Sequence, residues 1–177
     1  MDRRKAIRCS LAVTAGILLI PSCMQERTKS SISLKNINIS GDQENLLADL
    51  SETIIPKTSC PGAKDISSHL FALMMVDDCY DPDAQKKFVT GLSQFESLAK
   101  TKFGSSFSKC TQQQKEELLR AMENKTGIPG ESLSFYDAMK KLTIQSFTTS
   151  QYYLTKIHVY EMVPSRFHGC VPVTETT

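Results

Sequence analysis

Charge of one sign is what this chain most conspicuously lacks: over 177 residues it sets 21 Lys and Arg against 19 Asp and Glu. Arg3, Arg4, Lys5 and Arg8 crowd the N-terminus against Asp2, which leaves 17 basic and 18 acidic residues beyond residue 22. A near-neutral domain excludes a nucleic-acid or acidic-membrane footprint, which needs basic residues gathered on one face to neutralise phosphates. Long hydrophobic runs are missing too. The apolar stretch from Leu11 to Ile20 falls well short of the ~20 residues a helix needs to cross a bilayer. No glycine-rich loop follows a strand pattern, so no dinucleotide or nucleoside triphosphate site is readable. There is no internal repeat and no convincing run of paired strands.

Clusters of metal-ligating residues are also absent. His69, His158 and His168 are scattered, and Cys60, Cys79, Cys110 and Cys170 lie 19 or more residues apart, whereas structural zinc and iron–sulfur sites draw ligand pairs from tight C-x2-C-like turns. His168 and Cys170 offer two ligands without a second pair. The adjacent carboxylates Asp77 and Asp78, and Glu116 and Glu117, read as solvated faces, because neighbouring helical residues do not face one another. The chain is therefore expected to carry no catalytic residue, metal site or cofactor of its own.

What is present begins with an export signal. Basic Arg3 to Arg8, the apolar run and then Ile20-Pro21-Ser22-Cys23 resemble a bacterial lipobox, with Cys23 as the lipid attachment site; an ordinary secretory signal with an incidental cysteine is the alternative. Arg3-Arg4 resembles the start of a twin-arginine signal, with Asp2 in place of Ser or Thr and Ala6 in place of Phe. The expected division is a signal over 1–22, a flexible tether over 23–40, rich in Ser, Thr, Lys and Asn, and one domain over 41–177 on the periplasmic side of a membrane.

Helical periodicity organises that domain. Leu46, Leu47, Leu50, Ile54 and Ile55 form one stripe that Pro56 ends. A turn-rich loop through Cys60, Pro61 and Gly62 leads to a second helix expected over about 65–78. Asp81 and Pro82 are a strong cap and first residue for a third helix, with Phe88, Leu92, Phe95 and Leu98 on one face as far as Gly104. Thr111 and Gln114 form a capping box for a fourth. Ser134 is the expected cap of a fifth, apolar on most sides and so central. The fold class is all-α: a small bundle of four to five helices with a long irregular C-terminal segment.

In an oxidising compartment four cysteines allow three pairings. Cys79 and Cys110 flank a helix of about 30 Å, far beyond the ~5.5 Å between Cα atoms that a bridge spans, and Cys60 and Cys79 are separated in the same way. In an up-down bundle Cys60 and Cys110 return to one end, which makes them the expected pair among the first three, with Cys170 left accessible or bonded to Cys79.

Two stretches carry a family likeness. Leu50-Ser51-Glu52-Thr53-Ile54-Ile55-Pro56-Lys57-Thr58 with Pro61-Gly62-Ala63, and Tyr160-Glu161-Met162-Val163-Pro164-Ser165-Arg166-Phe167-His168-Gly169-Cys170-Val171-Pro172, resemble the opening and closing patterns of the gluconate 2-dehydrogenase subunit 3 family. The likeness spans about residues 42–173. Departures are Met162 for a proline, Ser165 for glycine, Phe167 for tyrosine and His168 for an acidic residue. The resemblance implies a small accessory subunit or export chaperone of a large flavin-dependent dehydrogenase of the GMC type that oxidises sugars or sugar acids. It also implies FAD in that partner and a cytochrome c or other acceptor beyond it. The interface it implies involves Pro56, Pro61, Gly62, Tyr160, Pro164, Arg166, Gly169 and Cys170. For Arg166 an internal pairing with Glu161 is the competing role, and a stand-alone structural or binding lipoprotein is the competing function.

Overall fold

A computed structural model describes residues 30–125 and 127–158. Arg3, Arg4, Cys23, Tyr160, Pro164, Arg166, Gly169 and Cys170 lie outside them. The described residues form five α-helices: α1 Gly41–Ile54, α2 Ser68–Cys79, α3 Pro82–Phe103, α4 Gln112–Glu123 and α5 Gly130–Thr148. A 3-10 turn, Phe107–Lys109, precedes α4, and a π turn, Tyr153–Ile157, follows α5. The all-α expectation holds.

Caps place most of these helices. The Asp81 carboxylate accepts the Ala84 amide at 2.8 Å, and Pro82 opens α3. Gly104 closes that helix in the left-handed region, φ 69°, where a residue without Cβ is unstrained. Thr111 and Gln114 cap each other across the start of α4 at 3.3 and 2.9 Å.

Two expected starts shift. α2 begins at Ser68, not near Asp65, because the Asp65 carboxylate turns back to accept the Gly62 amide at 3.2 Å and to pair with Lys57. α5 begins at Gly130, not after a Ser134 cap. Ser134 lies inside the helix and donates to the Gly130 carbonyl.

The core is built on α5, which packs against α1, α2 and α3. Phe135 stands edge-on to Phe88 with centroids 5.0 Å apart, and Phe95 lies 5.7 Å from Phe135 and 5.0 Å from Phe107. The antiparallel crossing of α3 and α5 is close because Gly91 faces it. A Cβ there would stand 2.5 Å from the Glu131 carbonyl oxygen and 2.6 Å from the Phe135 Cβ.

The tether expected through residue 40 is corrected over its second half. Residues 30–40 are a strap laid on the bundle, with Ile37 and Ile39 only 7% and 4% exposed. Two carboxylates hold it. Asp77, near the end of α2, accepts the backbone amides of Lys35, Asn36 and Ile37 at 2.7–2.9 Å. Glu44, in the first turn of α1, accepts from the Ser31 amide and from the hydroxyls of Ser30 and Ser31. The strap then enters α1 through a reciprocal cap, in which Gln43 donates its amide to the Ser40 hydroxyl and accepts the Ser40 amide on its side chain.

Candidate functional site

The loop from Ile55 to Ser67 gathers the described part of the expected interface, and it is built around one carboxylate. Glu52, in the last turn of α1, accepts the amides of Lys57 and Lys64 at 2.8 and 3.1 Å, so both limbs of the loop hang from a single side chain. Gly62 sits against the same group, where a Cβ would come within 2.5 Å of a Glu52 carboxylate oxygen and 2.7 Å of the Lys57 nitrogen. Only glycine fits without moving backbone. The Ala63 amide donates to the Ile55 carbonyl at 2.9 Å, which seals the loop at its base. Asp65 closes it from outside, and the Lys57 ammonium beside it, with the Gly62 amide, holds its carboxyl below the usual range. The outcome is a fixed platform that leaves Pro56, Lys57, Thr58 and Ser59 in solvent, with Pro61 half-buried and Gly62 buried.

This platform meets the chain again beyond α5. The Cys60 thiol lies beside the Tyr152 hydroxyl and pushes that phenol up from its ordinary value. Tyr153 follows, stacked edge-on to Phe147 at 6.0 Å and tilted towards His158 at 6.4 Å. The loop after α1 and the turn after α5, far apart in sequence, are thus neighbours.

The expected Cys60–Cys110 bridge is absent: Cys60, Cys79 and Cys110 are all free thiols. Cys60 faces Tyr152, while the Cys110 sulfur lies 3.5 Å from both the Ser105 hydroxyl and the Ser106 carbonyl. The simple up-down reading failed because the loop after α1 folds back on that helix instead of leading directly into α2.

Three polar clusters are the candidates for chemistry among the described residues. Asp49 lies between Lys64 at 2.8 Å and Lys115 at 3.6 Å. Burial alone would raise its pKa, but the two lysines and Ser108 outweigh it and the net direction is down. It joins α1, the loop and α4 as a charged cross-brace. His69 is lowered by burial, against the pull of Glu44, and its Nδ1 has no hydrogen-bond partner. Glu123 is lowered by Lys140 and Tyr136, and burial with Glu123 nearby pushes the Tyr136 phenol strongly up. That last trio lines an open cleft of about 200 Å³ with Thr53, Ile54 and Arg120. A carboxylate already held by a lysine and a phenol is not poised to take a proton at neutral pH.

No group of three His, Cys, Asp or Glu among the described residues is placed to hold a metal ion. Nor do they contain a β-strand, and so they offer no strand-to-helix glycine turn to cradle a flavin diphosphate.

Sequence reasoning missed several of these residues. Asp77, read as part of a solvated pair, is 4% exposed and anchors the strap. Glu52 lies in the family-like opening stretch with no role marked for it, and Tyr152 carries no motif. Ser40 and Gln43 have the spacing of a capping box, but the composition before them reads as linker and hides it.

The profile of the family described as gluconate 2-dehydrogenase subunit 3 matches residues 41–164. No curated protein and no solved structure matches the chain.

Proposed function

The chain belongs to the gluconate 2-dehydrogenase subunit 3 family, the accessory subunits of dehydrogenase complexes, and from that premise we propose that it serves a periplasmic, membrane-associated flavin-dependent dehydrogenase of sugars or sugar acids. Its role there is non-catalytic: it binds the large GMC-type chain, which carries FAD, during export and maturation. Electrons leave that partner for a cytochrome c or another acceptor. Lipid on Cys23 holds the assembly at the membrane. Only six residues lie between Cys23 and the bonded Ser30, so the seven steps that join them span at most about 25 Å.

The observation that carries this reading is the loop after α1. Glu52, Gly62 and Asp65 fix it from within, while Pro56 to Ser59 stay exposed on its outer side. A rigid, exposed loop lowers the entropy lost on docking a partner. It stands beside Tyr152, from which the chain continues to Tyr160, Pro164, Arg166, Gly169 and Cys170.

The test is affinity capture of the tagged full-length chain from gently solubilised membranes of its own host, with mass spectrometry and a flavin absorbance spectrum. A large flavoprotein in equal amount is the expected result. A colourless chain recovered alone, even after crosslinking during export, would overturn it. Replacing Arg166 with Ala separates a docking role, in which capture falls and stability holds, from an internal pairing, in which both fall together.

A further inference from the structure

The strap over residues 30–40 returns to the place where it starts. Its first residues are held at the beginning of α1, where the Glu44 carboxylate accepts the Ser30 hydroxyl at 2.8 Å and the Ser31 amide at 2.7 Å. Its last residue, Ser40, caps the same helix through Gln43. Between these ends it crosses to the last turn of α2, where Asp77 accepts the amides of Lys35, Asn36 and Ile37 and the Asn36 side chain donates to the Asp77 carbonyl. Eleven residues, which in extended form span about 35 Å, are thus folded into a loop whose two ends meet at the first turn of α1.

Core sealing accounts for the second half of this loop, since Ile37 and Ile39 are buried there. It does not account for the first two residues. Ser30 and Ser31 bring no apolar surface, and Ser31 is exposed, yet both are bonded to one carboxylate. What those bonds do is fix the point at which the preceding chain leaves the bundle.

That point sets a distance. The seven steps from Cys23 to Ser30 span at most about 25 Å, and the eighteen steps from Cys23 to Gly41, with the strap released, would span about 60 Å. Resting on the reading of Cys23 as a lipid anchor, we propose that the strap is a stand-off clamp: it takes up the slack of the tether and holds the N-terminal end of α1 within about 25 Å of the lipid surface. α1 has 14 residues and the Ile55–Ser67 loop follows its other end, about 21 Å away. The platform therefore stays within about 45 Å of the bilayer, and a partner that meets it must itself stand at the membrane. Release of the strap would more than double the reach of the anchor and leave the helices in place.

The experiment uses the full-length chain purified from host membranes and reconstituted in a supported bilayer of phosphatidylcholine, with the height of the protein layer read by neutron reflectometry. Three forms are compared: the parent, Glu44→Ala with Asp77→Ala to free the strap, and an insertion of eleven Gly and Ser residues between Lys29 and Ser30 that lengthens the tether with every strap contact intact. The parent layer is expected to lie close to the headgroups. Both altered forms should extend outward, by up to about 35 Å. Hydrogen exchange should rise at 35–39 in the double variant and stay at parent levels in the insertion.

The lipid reading and the clamp fail differently. A mature chain whose intact mass lacks acyl groups on Cys23 would overturn the anchor and the clamp with it, and would leave the subunit reading standing. An acylated chain whose layer stays at the parent height in both altered forms would overturn the clamp alone. If the double variant also loses protection in α5, the substitutions have unfolded the bundle, and the insertion, which leaves its bonds untouched, decides: an unchanged height there refutes the proposal.

Discussion

Asp77 is the residue on which the strap depends, and its removal has a calculable consequence. Its carboxylate accepts three consecutive backbone amides, and its own carbonyl accepts the Asn36 side chain at 2.8 Å and Gln85 at 2.9 Å. Hydrogen bonds to a charged group contribute about 1.5 to 3 kcal/mol each. Three donors on one carboxylate do not add fully, and amides released at the surface regain water, so Asp77→Ala is expected to cost about 2 to 4 kcal/mol. Ile37 and Ile39 leave the core with the strap. Their amides should lose hydrogen-exchange protection while the amides of α5 keep theirs.

The sign of the pH dependence follows from the same geometry. Burial by itself would raise the Asp77 pKa, but the three amides favour the charged form and the net direction is down. A carboxylate whose folded pKa lies below its unfolded value contributes its full stabilisation above about pH 5, and loses it as pH falls through the folded pKa. Urea denaturation of the mature chain from pH 7 to pH 3 should show a shallower acid loss in Asp77→Asn than in the parent. Asp77→Ala within about 0.5 kcal/mol of the parent, with exchange at Ile37 unchanged, would refute the anchoring argument, since that is the ordinary range for an unconstrained surface site.

Gly91→Ala sets two effects against each other. An alanine in mid-helix gains about 0.5 to 1 kcal/mol over glycine, but a Cβ 2.5 Å from the Glu131 carbonyl oxygen forces α3 and α5 apart at about 1 to 3 kcal/mol, so thermal melting should show net destabilisation. Gly62→Ala meets backbone at Lys57 as well as Glu52. It should lower stability by about 1 to 3 kcal/mol and weaken partner capture by more than that loss explains, because the loop shifts. Thr111→Ala removes the cap of α4 and is expected to cost about 1 kcal/mol, measured by urea denaturation with capture unchanged.

Most of the helices were legible because their signals are local. Asp81-Pro82, Gly104 and the Thr111–Gln114 box each act within four residues, and the structure uses all of them. The errors share a cause, which is that the deciding partner is remote or already committed elsewhere. Asp65 is as good a cap as Asp81, yet its carboxylate is taken up by Gly62 and Lys57. The strap reads as linker because Ile32, Leu34, Ile37 and Ile39 are isolated among polar residues. Its anchor, Asp77, lies about 40 residues along the chain. Composition measures how much apolar surface a segment brings, but not whether a buried carboxylate elsewhere lacks amides to accept.

The candidate site divides along the same line. Pro56, Pro61 and Gly62 were readable as turn formers, and the structure supplies the reason for Gly62 in the carboxylate packed against it. What makes this loop more than a turn, its attachment to Glu52 and its contact with Tyr152, depends on residues that no turn rule selects.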